Sequence, residues 1–168
     1  MKKVNFDNIY KILESSFEPF LHRGYERQKK LLDNEKYNII TYEENDEILG
    51  FLTYWKLDKD TLFVEHFAVA PEKRGYGIGK KIFNDFLKLD GDKFLEVEPP
   101  HTEIDKKRIK LYESFGFIFN DNEYYQPIYN EGDDKTRLHI MSSRKLDENE
   151  FENIYKKIHD LDSSIKNI

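Results

Sequence analysis

Residues 62–79 read LFVEHFAVAPEKRGYGIG and run directly into KKIFNDFLKL at 80–89. An apolar stretch ends at Val69. A turn containing Pro71 follows, then Arg74-Gly75-Tyr76-Gly77-Ile78-Gly79, then a segment with helical spacing. A strand that feeds a glycine-rich loop at a helix start is a cradle for phosphate. Glycines let the backbone approach the ligand. The unsatisfied N–H groups of the first helical turn point at the anion, and the helix dipole adds to the attraction.

Spacing decides which phosphate ligand the loop suits. A nucleotide-binding P-loop needs G-x-x-x-x-G-K-[ST]. Here the interval from Gly75 to Gly79 is one residue short, and Lys81 stands where a Ser or Thr should bind Mg²⁺. A dinucleotide fingerprint needs G-x-G-x-x-G directly after the strand. Here the glycines alternate as G-x-G-x-G, and a charged turn separates them from the strand. What fits is R-x-x-G-x-G, carried by Arg74, Gly77 and Gly79, behind Ala68-Val69 and Pro71.

That pattern resembles the acyl-CoA loop of the GNAT superfamily of N-acetyltransferases. LFVEHFAV looks like the fourth strand of that family. Residues 105–117, DKKRIKLYESFGF, look like its tyrosine-bearing helix and the Gly-Phe entry to the next strand. The resemblance covers residues 40–120 and fades toward both ends. It implies an α/β (α+β) fold: a mixed, mostly antiparallel sheet with helices on both faces. A parallel strand pair would splay around acetyl-CoA.

Composition sets bounds. At 168 residues, a single domain spanning 1–168 is expected, with a core over about 1–145 and a C-terminal helix over about 147–162. Aromatics at 15% supply buried area that the 38% hydrophobic content understates. A net charge of −6 argues against a nucleic-acid partner and leans toward a cationic substrate. The absence of cysteine removes disulfides, thiolate metal sites and a cysteine nucleophile. No run approaches the ~18 apolar residues of a membrane span. Asp7, Lys11 and Glu14 interrupt any apolar signal region. A cytoplasmic bacterial protein with neither metal nor membrane partner is expected, as monomer or homodimer.

Periodicity outlines the elements. Phe6, Ile9, Tyr10, Leu13 and Phe17 predict an amphipathic helix over 6–17, and 25–32 a second short one. Residues 37–42 and 48–57 read as strands around a polar turn, followed by the strand at 62–69. The helix behind the glycine loop carries Ile82, Phe83, Phe86, Leu87 and Leu89, with Gly91 as its stop. Residues 93–98 form a strand parallel to 62–69, and 105–115 a helix. Residues 124–135 connect to a final strand at 137–142. Asp147 with Glu150 reads as a capping box for the last helix.

Acetyl transfer from a thioester to an amine needs a held ligand, a deprotonated amine, oxyanion donors and a stabilised thiolate. For holding, the backbone N–H groups of Gly75, Tyr76, Gly77, Ile78, Gly79 and Lys80 can cradle the pyrophosphate, with positive charge from Arg74 and Lys80. Lys81 reads better as a solvated helical residue. By resemblance, the backbone of Phe67, Ala68 and Val69 pairs with the pantetheine arm, and Tyr112 protonates the CoA sulfur. Glu65, on the face of Phe63 and Phe67, is the expected base. His66, facing the other way, and the pair Glu96 and Glu98 compete with it. Many family members carry Asn seven residues before the tyrosine, where this chain has Asp105. Arg108 shares a helix face with Tyr112 and is expected to meet CoA in compensation.

The resemblance therefore implies an acetyl-CoA-dependent N-acetyltransferase acting on a primary amine by direct attack, a small cationic acceptor being favoured. Acetylation of a protein amine and a non-turning acyl-CoA-binding module are the alternatives. Acceptor choice is expected from residues 14–35 and 120–136, where Tyr124, Tyr125 and Tyr129 either line an amine pocket or pack as a hairpin.

Overall fold

Alternation and helical spacing partition the chain as expected, and a computed structural model describes residues 5–166. The N-terminal lysines Lys2 and Lys3 lie outside the described residues. Contacts divide the chain into two compact units. One comprises the chain up to Trp55 together with Glu65–Asp90; the other comprises Lys56–Val64 together with the chain from Gly91 onward.

In the first unit, α1 (Phe6–Ser16) is capped by Asn5, whose side chain accepts from Asn8 N. Its apolar stripe of Ile9, Ile12 and Leu13 buries against Ile48, Phe51, Ala68 and Ala70. Pro19 starts a 3₁₀ turn (Pro19–Leu21), and α2 (Tyr25–Lys30) runs into a second such turn (Leu31–Asp33). Strands β1 (Tyr37–Glu44) and β2 (Glu47–Asp58) pair antiparallel from Tyr37↔Trp55 to Glu44↔Glu47. Their turn is tighter than the polar stretch suggested: Asn45 and Asp46 both adopt positive φ, 51° and 63°. That is the two-residue hairpin twist that matches strand twist. Strand β3 (Thr61–Val69) follows β2 after two residues. Helix α3 (Ile78–Leu87) begins two residues before the lysines and ends before Leu89 and Gly91.

In the second unit, the start of β3 pairs parallel with β4 (Asp92–Val97), as expected from the intervening crossover helix. Helix α4 (Glu103–Ser114) starts two residues earlier than the apolar spacing indicated, because Thr102 caps it. Strand β5 (Ile118–Phe119) is only a short edge, and β6 (Tyr124–Tyr125) converts part of the expected connection into a pairing with β7 (Arg137–Ser142). Helix α5 (Glu148–Ile165) carries the capping box read from Asp147 and Glu150. Strand order is β1-β2-β3-β4-β7-β5, with β6 on β7. The result is a mixed, mostly antiparallel seven-stranded sheet with one parallel pair. No described helix is long and apolar enough to cross a membrane.

Candidate active site

Among the described residues, the register of β3 with β4 runs from Thr61 to Val64 and ends there. Residues 65–69 continue the strand beyond that pairing. The Glu65 side chain is 2% exposed although the residue as a whole is half-buried, so its exposed part is backbone. A strand edge with free amides and carbonyls can accept an extended ligand as an added strand. Side chains here are committed elsewhere. Ala68 is buried in the α1-facing core, and the Phe67 ring packs 5.4 Å from Phe83 of α3. Phe67 and Ala68 therefore offer only backbone, while Val69 O already accepts from Arg74 Nε.

The loop behind the strand is exposed from Arg74 to Gly77. Gly77 is the N-cap of α3 in the left-handed region at φ 80°, where it can supply no side-chain cap. The N–H groups of the first helical turn are thereby left for solvent or an anion. Gly79 serves packing instead, since a Cβ there would come 3.3 Å from the Phe67 ring, and its absence permits close approach of α3 to β3. Arg74 is held ready. Its Nε donates to Val69 O at 3.1 Å and a terminal nitrogen donates to Ser16 Oγ at 3.1 Å, while the residue stays exposed. Tyr76 is 76% exposed, and Lys80 is exposed. Ile78 offers backbone alone, since its side chain is buried in the core. Lys81 turns its ammonium over the Tyr42 ring at 5.3 Å, consistent with its reading as an ordinary helical residue.

Glu65 does not stand free as a base. Arg23 donates to its Oε1 at 2.9 Å, with the two side chains 3% and 2% exposed. Gln28 Nε2 lies 3.5 Å from the other oxygen and also donates to Tyr37 Oη at 3.2 Å. Burial by itself would push this carboxyl up. The Arg23 guanidinium, by its charge and its hydrogen bond, outweighs that and holds it below the ordinary carboxylate range. The buried Trp55 Nε1 makes no hydrogen bond within the described residues.

His66 was expected on the opposite face from Glu65, and the structure corrects this. Its ring packs 4.9 Å from Phe17, its Nε2 meets Leu21 O at 2.8 Å, and its Nδ1 lies 3.6 Å from Glu65 Oε2. Both side chains thus reach residues 17–28, which strict strand alternation forbids. Thr53 Oγ1 marks the irregularity, accepting from His66 N at 3.0 Å and lying 3.4 Å from His66 O. Burial lowers the His66 pKa and keeps the ring neutral, against the opposing pull of Glu65.

The second unit carries Tyr112, half-buried on α4, with its ring 6.5 Å from Phe117. Burial pushes its phenol up to about 12, with Arg108 pulling the other way. Arg108 itself lies 3.9 Å from Glu98, an exposed pair. Asp105 is engaged in its own helix cap: its carboxylate accepts from Thr102 N at 3.0 Å while Thr102 Oγ1 accepts from Asp105 N at 3.1 Å. Glu96 accepts from Tyr124 Oη at 2.6 Å. Tyr124 and Tyr129 are core residues, 0% and 4% exposed, which removes them from an amine pocket. Tyr125 already carries Lys135 and Arg137 over its ring, at 5.6 and 5.9 Å. No cluster of three or more His, Asp or Glu side chains among the described residues is placed to hold a metal ion.

Arg23 and Gln28 escaped the sequence reading. A single arginine between His22 and Gly24 carries no periodic signal, and only the fold brings it to Glu65.

Comparison with known proteins places this geometry. The Acetyltransferase (GNAT) family model matches residues 6–117. No curated protein matches the chain. Among solved structures, a protein from Bacteroides thetaiotaomicron described as a GNAT-family acetyltransferase shares 34% identity, covering 92% of this chain and 89% of its own, at a TM-score of 0.83. The ribosomal-protein-S18-alanine N-acetyltransferase of Escherichia coli superposes at a TM-score of 0.64 with 19% identity, covering 89% and 94%. An aminoglycoside 6'-N-acetyltransferase complexed with coenzyme A does so at 0.62 with 13% identity, covering 84% and 92%. Those two likenesses show the shared fold. With the family model spanning most of the chain, this protein belongs to the GNAT family of acetyltransferases.

Proposed function

We propose that this chain works as one acetyltransferase domain that transfers the acetyl group of acetyl-CoA to the nitrogen of a primary amine, by direct attack through a tetrahedral intermediate. The observation that carries the reading is the uncapped start of α3 behind an exposed glycine loop, continuous with the β3 backbone beyond Val64. The loop holds pyrophosphate through backbone N–H groups and Arg74. The strand edge holds the amide-bearing arm. A structure of a similar fold holds coenzyme A. The net charge of −6 favours a small cationic acceptor.

Two roles are sharpened by the electrostatics. Tyr112, at about 12, is a weaker acid than a free thiol at about 8.5, so full proton transfer to the departing sulfur runs uphill. It serves the thiolate as a hydrogen-bond donor that is always protonated. Glu65, ionised and paired, is too weak a base to take a proton outright from an ammonium of pKa about 10.4. It serves as a fixed negative charge that draws in the acceptor and stabilises the positive charge its nitrogen gains on attacking the thioester carbonyl; the amine's protons leave to solvent, one before attack and one after. Thiol release from acetyl-CoA, measured across a panel of polyamines, amino acids, aminoglycosides and peptides, tests the activity. Turnover on at least one small amine is expected. Tight acetyl-CoA binding without turnover on any member would overturn it in favour of a binding module, and turnover on peptides alone would reassign the acceptor.

A further inference from the structure

The Arg23–Glu65 pair is buried on both sides, yet it lies where the β3 backbone leaves its pairing with β4. Stability does not explain it, because a buried ion pair gains little over apolar residues of the same volume. Its surroundings are built to keep it in one geometry. Arg23 N donates to Gln28 Oε1 at 3.4 Å, and Arg23 O meets His22 Nδ1 at 2.8 Å. Gln28 therefore braces Arg23 through one amide atom and approaches Glu65 with the other. The groups facing Glu65 are Arg23 from the turn before α2, Gln28 from α2, Tyr37 from β1, Trp55 from β2 and His66 beside it on β3. Of these, Arg23 alone brings a full positive charge, since burial keeps His66 neutral.

Building on the transfer reading above, we propose that Arg23 is a positioning residue for the reaction. Through its buried ion pair it locks residues 19–30 onto β3 and keeps Glu65 a fixed anion beside the open backbone edge that follows. The segment it locks contains the exposed Phe20 and leads into α2, so the pair governs how the acceptor amine is presented rather than how acetyl-CoA is held.

The experiment uses the full chain and two readouts. Carboxyl ¹³C NMR follows the Glu65 titration, with the resonance identified by its loss in Glu65→Gln. Steady-state kinetics separates the KM for acetyl-CoA from kcat/KM for the best amine of the panel. In the unaltered protein the Glu65 signal should stay flat between about pH 5 and 8, where ordinary carboxylates are already ionised. Arg23→Gln should bring the titration into that window. It should also lower kcat/KM for the amine by about 10-fold while KM for acetyl-CoA moves less than about 2-fold, since an unpaired buried carboxylate takes up a proton. Arg23→Lys, which retains the charge, should keep the signal flat and recover most of the amine kcat/KM. A flat signal in folded Arg23→Gln, a Glu65 titration in that window for Arg23→Lys, or a rise in the acetyl-CoA KM as large as the fall in the amine kcat/KM would each overturn the proposal. Should Arg23→Gln fail to fold, the Arg23→Lys titration decides. The NMR readout needs no turnover, so an inactive protein would count against the transfer reading while the Glu65 titration still decided the electrostatic role of Arg23.

Discussion

The glycine loop and the Glu65 pocket lie at opposite ends of the same five-residue strand segment, and they handle charge in opposite ways. At the loop, Arg74 is exposed and braced by neutral oxygens, and the first helical N–H groups are uncapped. In the pocket, Arg23 and Glu65 are sealed from water and satisfy each other. A site that must admit and release an anion keeps its donors solvated, because desolvated donors without partners cost free energy. A charge that must not move is buried with its counter-ion, where screening cannot loosen it. On the proposed function, the same strand presents an exchangeable site and a fixed one.

The comparison can be broken most forcefully at the pocket. Glu65→Gln leaves Arg23 buried and uncompensated and should lower unfolding stability by about 3 kcal/mol in urea titrations. A loss below about 1 kcal/mol would mean that water already reaches the pair. Tyr112→Phe, in the other unit, should lower turnover by about 10²-fold with acetyl-CoA affinity unchanged, as expected for a group acting only on the departing sulfur. If affinity falls instead, Tyr112 belongs with the loop as a binding residue.

At the loop, Gly77→Ala forces a side chain into the left-handed region and should raise the acetyl-CoA KM about 10-fold, at a stability cost of about 1–2 kcal/mol. Ionic strength offers a gentler probe. Moving from about 0.05 M to about 0.5 M salt should weaken acetyl-CoA binding several-fold while leaving Glu65 ionised, because only the exposed charges are screened.

The smallest effect belongs to an exposed counterpart of the pocket, Lys157 and Asp58, 2.6 Å apart and each more than a third exposed. Lys157 holds the Asp58 carboxyl down to about 2 from its ordinary 3.8. Since the folded value is depressed, the pair's contribution is present above pH 3.8 and is lost as pH falls through about 2. Lys157→Ala should flatten that acid loss in melting curves and cost only about 0.5 kcal/mol at neutral pH, solvent having already screened the pair.

Local pattern was enough for most elements. Apolar spacing placed α1, β2, β3 and α5 to within a few residues, because each buries one face and periodicity records that face. The R-x-x-G-x-G spacing pointed to the family that the comparison shows, since a loop built from consecutive backbone groups is written in consecutive residues. The start of α4 and the shortness of β5 were not legible, because a polar cap and an edge pairing leave no apolar period. The aromatic run at Tyr124 left a pocket lining and a packed hairpin both open, and Tyr124 and Tyr129 are core, because burial depends on what packs over them.

What the sequence by itself determined was the family and the alternation of strands and helices, both encoded over short separations. What only the tertiary structure decided was the state of the Glu65 carboxylate. The groups around it, Arg23 and Gln28 beside each other at α2, Tyr37 on β1 and Trp55 on β2, are distant from it in the chain. The irregularity at Glu65 and His66 turns neighbours that should oppose each other onto one side. Burial and a distant arginine set the charge there, and neither is a property of the local sequence.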